Sequence, residues 1–157
     1  KMSLNRVKQQ PLRLTDAGKR DVRTQFGALC WRRRKDKIEV LLITSRRRKR
    51  WILPKGWPVD GATPCEAAET EAWEEAGVIG RAKPVCLGIY SYSKMLDKKE
   101  QLPCVVAVFP VKVKNMADKY PERSERRRKW FSLKKAAAVV SEPELAGLLA
   151  RFNPKSL

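Results

Sequence analysis

Between Thr63 and Gly77 the chain carries a full set of helix signals and not one Lys or Arg. Thr63-Pro64-Cys65-Glu66 places an N-cap threonine, a proline at the first helical position and a glutamate at the third, which together form a capping box. Gly77 supplies the left-handed residue that ends such a helix. Ala68, Ala72 and Ala76 recur at helical spacing and predict close packing against a sheet. Glu71, Glu74 and Glu75 fall within an arc of about 100° beside that stripe. Neighbouring carboxylates repel one another, and no lysine four residues away relieves them. In a chain that places bases freely elsewhere, this predicts either a solvated acidic face or a cluster of metal ligands.

The charge around this helix sharpens the choice. The 157-residue chain has 35 Lys+Arg against 17 Asp+Glu, a formal charge of +18. The stretch 56–78 holds Asp60, Glu66, Glu69, Glu71, Glu74 and Glu75 and no base, whereas Arg32–Lys37 and Arg46–Arg50 are dense basic runs. A purely electrostatic nucleic-acid binder gains nothing from a concentrated acidic segment. A divalent-cation site ringed by phosphate-binding bases needs both signs.

The composition also excludes chemistry. With 0 histidines there is no Ser-His-Asp triad, no Cys-His pair and no HExxH zinc site. Cys30, Cys65, Cys86 and Cys104 form no CxxC pair and are expected to be reduced structural thiols. No apolar run approaches the length of a membrane span, and no signal peptide is visible, so a cytoplasmic protein without membrane contact is expected.

The pattern predicts a basic arm over 1–20 and one domain over 21–157. Strands are expected at 24–31, 38–44, 51–53, 84–91, 103–113 and 129–132. The connecting RRRKD after Trp31 reads as a turn, and 115–127 as a charged loop. Helices are expected at 133–140 and 142–151, capped by Ser132 and Ser141. Pro110 is expected near a strand end. Gly56-xxxx-Gly61-Ala62-Thr63 imitates a phosphate-binding P-loop, but the essential lysine is replaced by Ala62. Trp31 and Trp130 read as partly buried core, and Trp57 as a residue bordering the site.

The segment from Gly56 to Val78 resembles the Nudix box, G-x5-E-x7-R-E-U-x-E-E-x-G-U, with U a bulky aliphatic. Gly56, Glu71, Glu74, Glu75, Gly77 and Val78 are in register. Ala62, Thr70 and Ala72 depart from it, standing for Glu, Arg and a larger aliphatic. The first two departures remove both members of a possible ion pair and leave no orphan charge, so activity is expected to survive. Residues 38–57 and 126–132 resemble the branch containing the diphosphoinositol and diadenosine polyphosphate phosphohydrolases, and the similarity covers roughly 24–150.

The resemblance implies an α/β fold, a Nudix-type α/β/α sandwich around a mixed β-sheet in a single domain. It implies hydrolysis of a phosphoanhydride in an X–diphosphate–Y compound, with Mg²⁺ or Mn²⁺, and the heavy basic surround favours a highly anionic one, a dinucleoside polyphosphate or a diphosphoinositol polyphosphate. By position, Glu71 and Glu75 would ligate metal with the backbone carbonyl of Lys55, and Glu74 would activate water or share the metals. Arg46, Arg50, Lys98, Lys99 and Arg128 are candidates to clamp phosphates, with Glu122 and Glu125 as distal acids or partners of the neighbouring arginines. The expected partner is a polyphosphorylated small molecule, bound by a monomer or homodimer. RNA 5′-pyrophosphohydrolysis, and a catalytically weakened module that binds nucleic acid or polyphosphate, are the competing functions.

Overall fold

A computed structural model describes residues 22–96 and 100–157. Its eight strands are β1 (Arg23–Arg34), β2 (Lys37–Thr44), β3 (Trp51–Ile52), β4 (Lys55–Gly56), β5 (Val78–Ala82), β6 (Gly88–Met95), β7 (Gln101–Met116) and β8 (Arg128–Ser132). The helices among the described residues are α1 (Pro64–Ala76), α2 (Leu133–Val139) and α3 (Pro143–Arg151), followed by a 3₁₀ turn at Pro154–Ser156. The sheet is mixed. β1 runs parallel to β7, while β2, β4, β5, β6 and β8 join by antiparallel pairing.

Period-two alternation in β1 and β2 sorts the core into two layers. Leu29, Trp31, Val40 and Leu42 face Leu145, Leu148, Leu149 and Phe152 of the C-terminal helices. Ala28, Cys30, Leu41 and Ile43 face the α1 stripe Ala68, Ala72 and Ala76. The three alanines are fully buried, so the helix backbone lies close on the sheet. The expected α/β/α sandwich is therefore the observed one.

The capping box at Thr63 is present with both of its hydrogen bonds, and Gly77 has φ +66°. A Cβ at Gly77 would also come within 2.4 Å of the Tyr120 ring, so glycine is required twice over.

Several boundaries differ from the sequence expectation. β1 continues through Arg34, and only Lys35 and Asp36, both at positive φ, make the turn. That two-residue geometry matches strand twist, so exposed arginines extend the hairpin. β5 over Val78–Ala82 was not expected. It is half exposed, and it is held by pairing to β7 rather than by apolar alternation. β6 begins at Gly88 rather than 84. β7 runs on to Met116, with Pro110 well inside it. The carbonyl of Pro110 accepts from Lys83 N–H, on the side where β6 has ended and β5 has not begun, so its missing N–H costs no ladder bond. The α3 N-cap is Glu142, not Ser141.

The site is positioned by a divergence in the sheet. β1 pairs with β2 only over Trp31–Arg34, and farther back its edge is taken by β4 at Phe26 and Gly27. The chain from β3 to β4 fills that gap and brings Lys55 and Gly56 against α1.

Candidate active site

Glu71 and Glu75 lie one helical turn apart on the face of α1 turned toward β4, which fits their i, i+4 spacing. Glu71 is fully buried and Glu75 is 6% exposed. The Glu71 carboxyl packs against Gly56. A Cβ on that glycine would come within 2.3 Å of the Glu71 carboxyl carbon. Glu75 Oε1 accepts from the Lys55 backbone N–H at 3.1 Å. Its Oε2 lies 3.7 Å from the Arg126 guanidinium. Arg126 is itself nearly buried, donating from Nε to Glu122 at 2.9 Å and from Nη1 to the Thr44 carbonyl at 3.2 Å.

Burial pushes the Glu75 carboxyl up to about 8, against the pull of Arg126, with the neighbouring Glu71 adding to the rise. Burial likewise pushes the Lys55 ammonium below its ordinary range, and that group lies 4.7 Å over the Tyr92 ring. The sign for stability follows from Glu75. Its carboxyl titrates near 4.3 when unfolded, so between there and about 8 the folded state holds a proton the unfolded state has lost. Stability falls as pH rises through that window. In EDTA, the melting midpoint of the wild type is expected to drop between pH 5 and pH 8 by roughly 5 °C more than that of Glu75→Gln. Parallel pH profiles for the two proteins, read by circular dichroism, would contradict this placement of the carboxyl.

A pocket of about 490 Å³ opens beside Glu75. Arg46, Arg47, Arg48, Arg50, Lys55, Lys94 and Arg126 line it against the carboxylates Glu75, Glu122 and Glu142. A surplus of bases in a concave site concentrates anions. Gln25, Trp57, Tyr90 and Tyr92 supply polar and aromatic wall, and the Tyr92 hydroxyl donates to Gln25.

The predicted residues distribute as follows. Arg46 and Arg50 line the pocket. Arg46 also pairs with Glu125 at 3.0 Å, a contact that raises its pKa. Arg128 does not line the pocket. Its guanidinium donates to the Ala76 carbonyl at 2.9 Å and sits 4.8 Å from the Tyr120 ring centre, so it closes the C-terminus of α1 rather than reaching a phosphate. Lys98 and Lys99 lie outside the described residues. Glu74 is half-buried and does not line the pocket, and its carbonyl accepts from Glu122 N–H at 3.0 Å. Glu74 and Glu75 mark opposite edges of the acidic arc. Among the described residues, no three acid, thiol or imidazole side chains gather into a metal-holding group. Glu122 and Glu125 are taken up in ion pairs with Arg126 and Arg46.

Sequence reasoning did not single out Arg126, Lys94, Gln25, Tyr92 or Glu142. Arg126 carries a readable signal. It opens the basic run Arg126–Arg128, inside the stretch 126–132 that carries the family resemblance.

The oxygens available here are two carboxylates, Glu75 in the pocket wall and Glu71 against Gly56, and the backbone carbonyl of Lys55, the residue whose N–H holds Glu75. This set suits Mg²⁺ or Mn²⁺ and not zinc. The Gly56 backbone leaves room for the Glu71 carboxyl where any side chain would fill it.

The family model for the NUDIX domain matches residues 22–152. Nudix hydrolase 12, mitochondrial, of Arabidopsis thaliana is 36% identical over 120 residues, covering 74% of this chain and 59% of that protein. The chain thus spans about three-fifths of that relative's length. Diphosphoinositol polyphosphate phosphohydrolase 3-alpha of Mus musculus is 30% identical over 116 residues, covering 73% of this chain and 66% of that protein. The crystal structure of C. elegans Ap4A hydrolase superposes with a TM-score of 0.62 at 20% identity, covering 87% of this chain and all of the other. At that identity the last likeness speaks for the fold alone.

Proposed function

The chain belongs to the Nudix family, and from that premise we propose that it is a divalent-metal-dependent pyrophosphohydrolase. Its substrate is a highly anionic compound of the form X–diphosphate–Y. One observation carries the proposal: Glu75, a buried carboxylate of the family motif, lines a pocket together with seven bases, and a second, Glu71, packs against the lining residue Gly56. A pocket that only stored polyphosphate would be weakened by those acids, because they repel its ligand.

Glu71, Glu75 and the Lys55 carbonyl would hold Mg²⁺ or Mn²⁺, which supplies charge neutralisation on the diphosphate and lowers the pKa of water. Arg126 fixes the Glu75 carboxylate from one side, and the Lys55 N–H fixes it from the other. The exposed arginines of the β2–β3 turn and Lys94 of β6 bind the phosphate chain, and their charge offsets the repulsion an incoming nucleophile meets. Glu74 stands outside the pocket. Glu75 lines the pocket and is the better placed carboxylate for activating water.

The mouse relative is named for diphosphoinositol polyphosphate and the C. elegans structural neighbour for Ap4A, and the basic pocket is consistent with either class. The test is phosphate or nucleotide release from diadenosine polyphosphates, diphosphoinositol polyphosphates, nucleoside triphosphates, ADP-ribose and 5′-triphosphorylated RNA. Each is run with Mg²⁺, with Mn²⁺ and with EDTA. Turnover of a small-molecule diphosphate that EDTA abolishes is the expected result. Absence of turnover for every substrate, from folded protein with millimolar metal, would overturn the proposal and favour a binding module. Turnover confined to RNA would overturn the small-molecule assignment.

A further inference from the structure

The pocket takes its arginines from the run Arg46–Arg50 and leaves the run Arg32–Lys37 unused. That second run forms the β1–β2 hairpin at the opposite end of the sheet. From the pocket residue Gln25 to Arg33 the strand rises roughly 26 Å. The hairpin is a built element. Trp31 and Val40 are the last buried pair of its ladder, and the pairs Arg33–Ile38 and Arg34–Lys37 continue it past the core. Arg32 braces its base, pairing with Glu39 at 2.7 Å and lying 4.0 Å from the centre of the Trp130 ring. Lys35 and Asp36 close it at φ 51° and 63°, left-handed values that are costly for a lysine. The result is a paired ribbon reaching about 10 Å beyond the core.

No apolar burial accounts for this extension. Arg33, Arg34, Lys35 and Lys37 are exposed and make no ion pair among the described residues. Arg34 and Lys37 stand directly opposite each other, a like-charge cross-strand pair that destabilises the ribbon until an anion relieves it. Strand alternation puts Arg33 on one face, Arg34 and Lys37 on the other, and Lys35 at the tip. More bases flank the ribbon. Lys112 is in register with Trp31 and with Arg81 of β5, and α2 begins with Lys134 and Lys135 just after Ser132, which pairs with Glu39. All four are exposed.

The shape of the ribbon identifies its partner. Bases on both faces suit a partner with anions on two sides, whereas a flat anionic membrane meets one face. The nearby rings are already covered: Trp31 is 8% exposed beneath Lys112, and Trp130 carries Arg32. The ribbon therefore offers no platform for the unstacked bases of a single strand. The major groove of B-form DNA is about 12 Å wide and about 8.5 Å deep and admits a two-stranded β-ribbon. Phosphates line both of its walls, and its depth matches the projection of the hairpin. The corresponding groove of duplex RNA is too narrow.

We propose that the β1–β2 hairpin binds double-stranded DNA by entering the major groove, with Arg33, Arg34, Lys35 and Lys37 on the phosphates of its two walls. Lys112 and Arg81 on one side, and Lys134 and Lys135 on the other, meet the backbone outside the groove. Contacts of this kind position without reading sequence. The surface is separate from the pocket and stands whether or not the pocket hydrolyses a diphosphate.

The test is fluorescence anisotropy of a short labelled DNA duplex, followed against salt. Wild type is compared with a hairpin variant, Arg33→Gln, Arg34→Gln, Lys35→Gln and Lys37→Gln together, and with a pocket-loop variant, Arg47→Gln and Arg48→Gln together. Four phosphate contacts contribute about 3.6 to the log–log salt slope, so the hairpin variant loses that much slope and at least about 100-fold in affinity at 0.1 M salt. The pocket-loop variant stays within about threefold of wild type, because its charges lie more than a screening length away. The hairpin variant keeps its melting temperature and its diphosphate turnover, since none of the four side chains is buried or lines the pocket. A duplex carrying glucosylated 5-hydroxymethylcytosine keeps its phosphates but has a filled major groove. Wild type binds it about 10-fold more weakly or worse, a readout that needs no variant to fold. Equal losses in the two variants, or a larger loss in the pocket-loop variant, would overturn the proposal. So would equal affinity for the glucosylated duplex, for single-stranded DNA or for duplex RNA. Hairpin-dependent binding to phosphatidylglycerol vesicles that exceeds binding to DNA would assign the ribbon to a membrane instead and overturn it as well.

Discussion

Glu75→Gln is expected to lower kcat/KM for the diphosphate substrate by about 1,000-fold or more while leaving the fold intact. The size follows from the loss of a charged oxygen ligand in a desolvated site, where a divalent ion supplies several kcal/mol of transition-state stabilisation and each 1.36 kcal/mol is tenfold in rate. The fold should survive because Gln keeps the oxygen that accepts from Lys55 N–H at 3.1 Å. It also removes a buried carboxyl whose ionised form is disfavoured there. Arg126 keeps Glu122 as a partner at 2.9 Å, so no bare charge is left behind. Turnover within tenfold of wild type would remove Glu75 from the machinery. An unfolded variant would show that the carboxylate is structural instead.

Gly56→Ala is the second large effect, and it acts through shape. The added methyl would lie 2.3 Å from the Glu71 carboxyl carbon and 2.4 and 2.7 Å from its two oxygens. No carbon tolerates that approach, and Glu71 is fully buried with nowhere to swing. Either α1 moves off β4 or the Glu71 side chain leaves its rotamer. Overpacking of this kind costs about 1–3 kcal/mol. A shift of about 1 Å in a positioned catalytic group costs on the order of 100-fold in rate. We therefore expect a lowered melting temperature together with at least a 100-fold loss of turnover. A variant that melts lower but turns over normally would show that the packing of Glu71 on Gly56 serves the fold and not the chemistry.

Much of the fold was legible because local rules agree with it. The capping box, Pro64 and Gly77 fix both ends of α1, and the alternation in 28–31 and 40–43 sorts two layers of core without ambiguity. β5 escaped because its half-exposed residues carry no alternation. Its place is set by backbone pairing to β7, a non-local cause that local pattern cannot report. Pro110 misled for a related reason. Proline is excluded from a paired edge, and only the topology reveals that β6 and β5 leave a break at that point.

The site divides in the same way. Glu71 and Glu75 could be read from helical spacing and the family motif, because both signals are local. The phosphate side could be read only as a surplus of charge, which does not say which bases turn inward. Arg46 and Arg50 reach the pocket, whereas Arg128 closes a helix end instead. Arg126 and Glu142 come from segments far from the motif in sequence. They reach the site because β8 pairs with β2 and because α3 packs against β6.

The most direct measurement is Mn²⁺ binding, followed by the electron paramagnetic resonance signal of free Mn²⁺ during titration of wild type, Glu71→Gln, Glu75→Gln and the surface control Glu144→Gln. The pocket as described predicts saturable binding in wild type and in the control, weakened roughly 10- to 100-fold in each of the other two. Equal Mn²⁺ affinity in all four proteins would contradict it, because the cation would then lie somewhere other than between α1 and the end of β4.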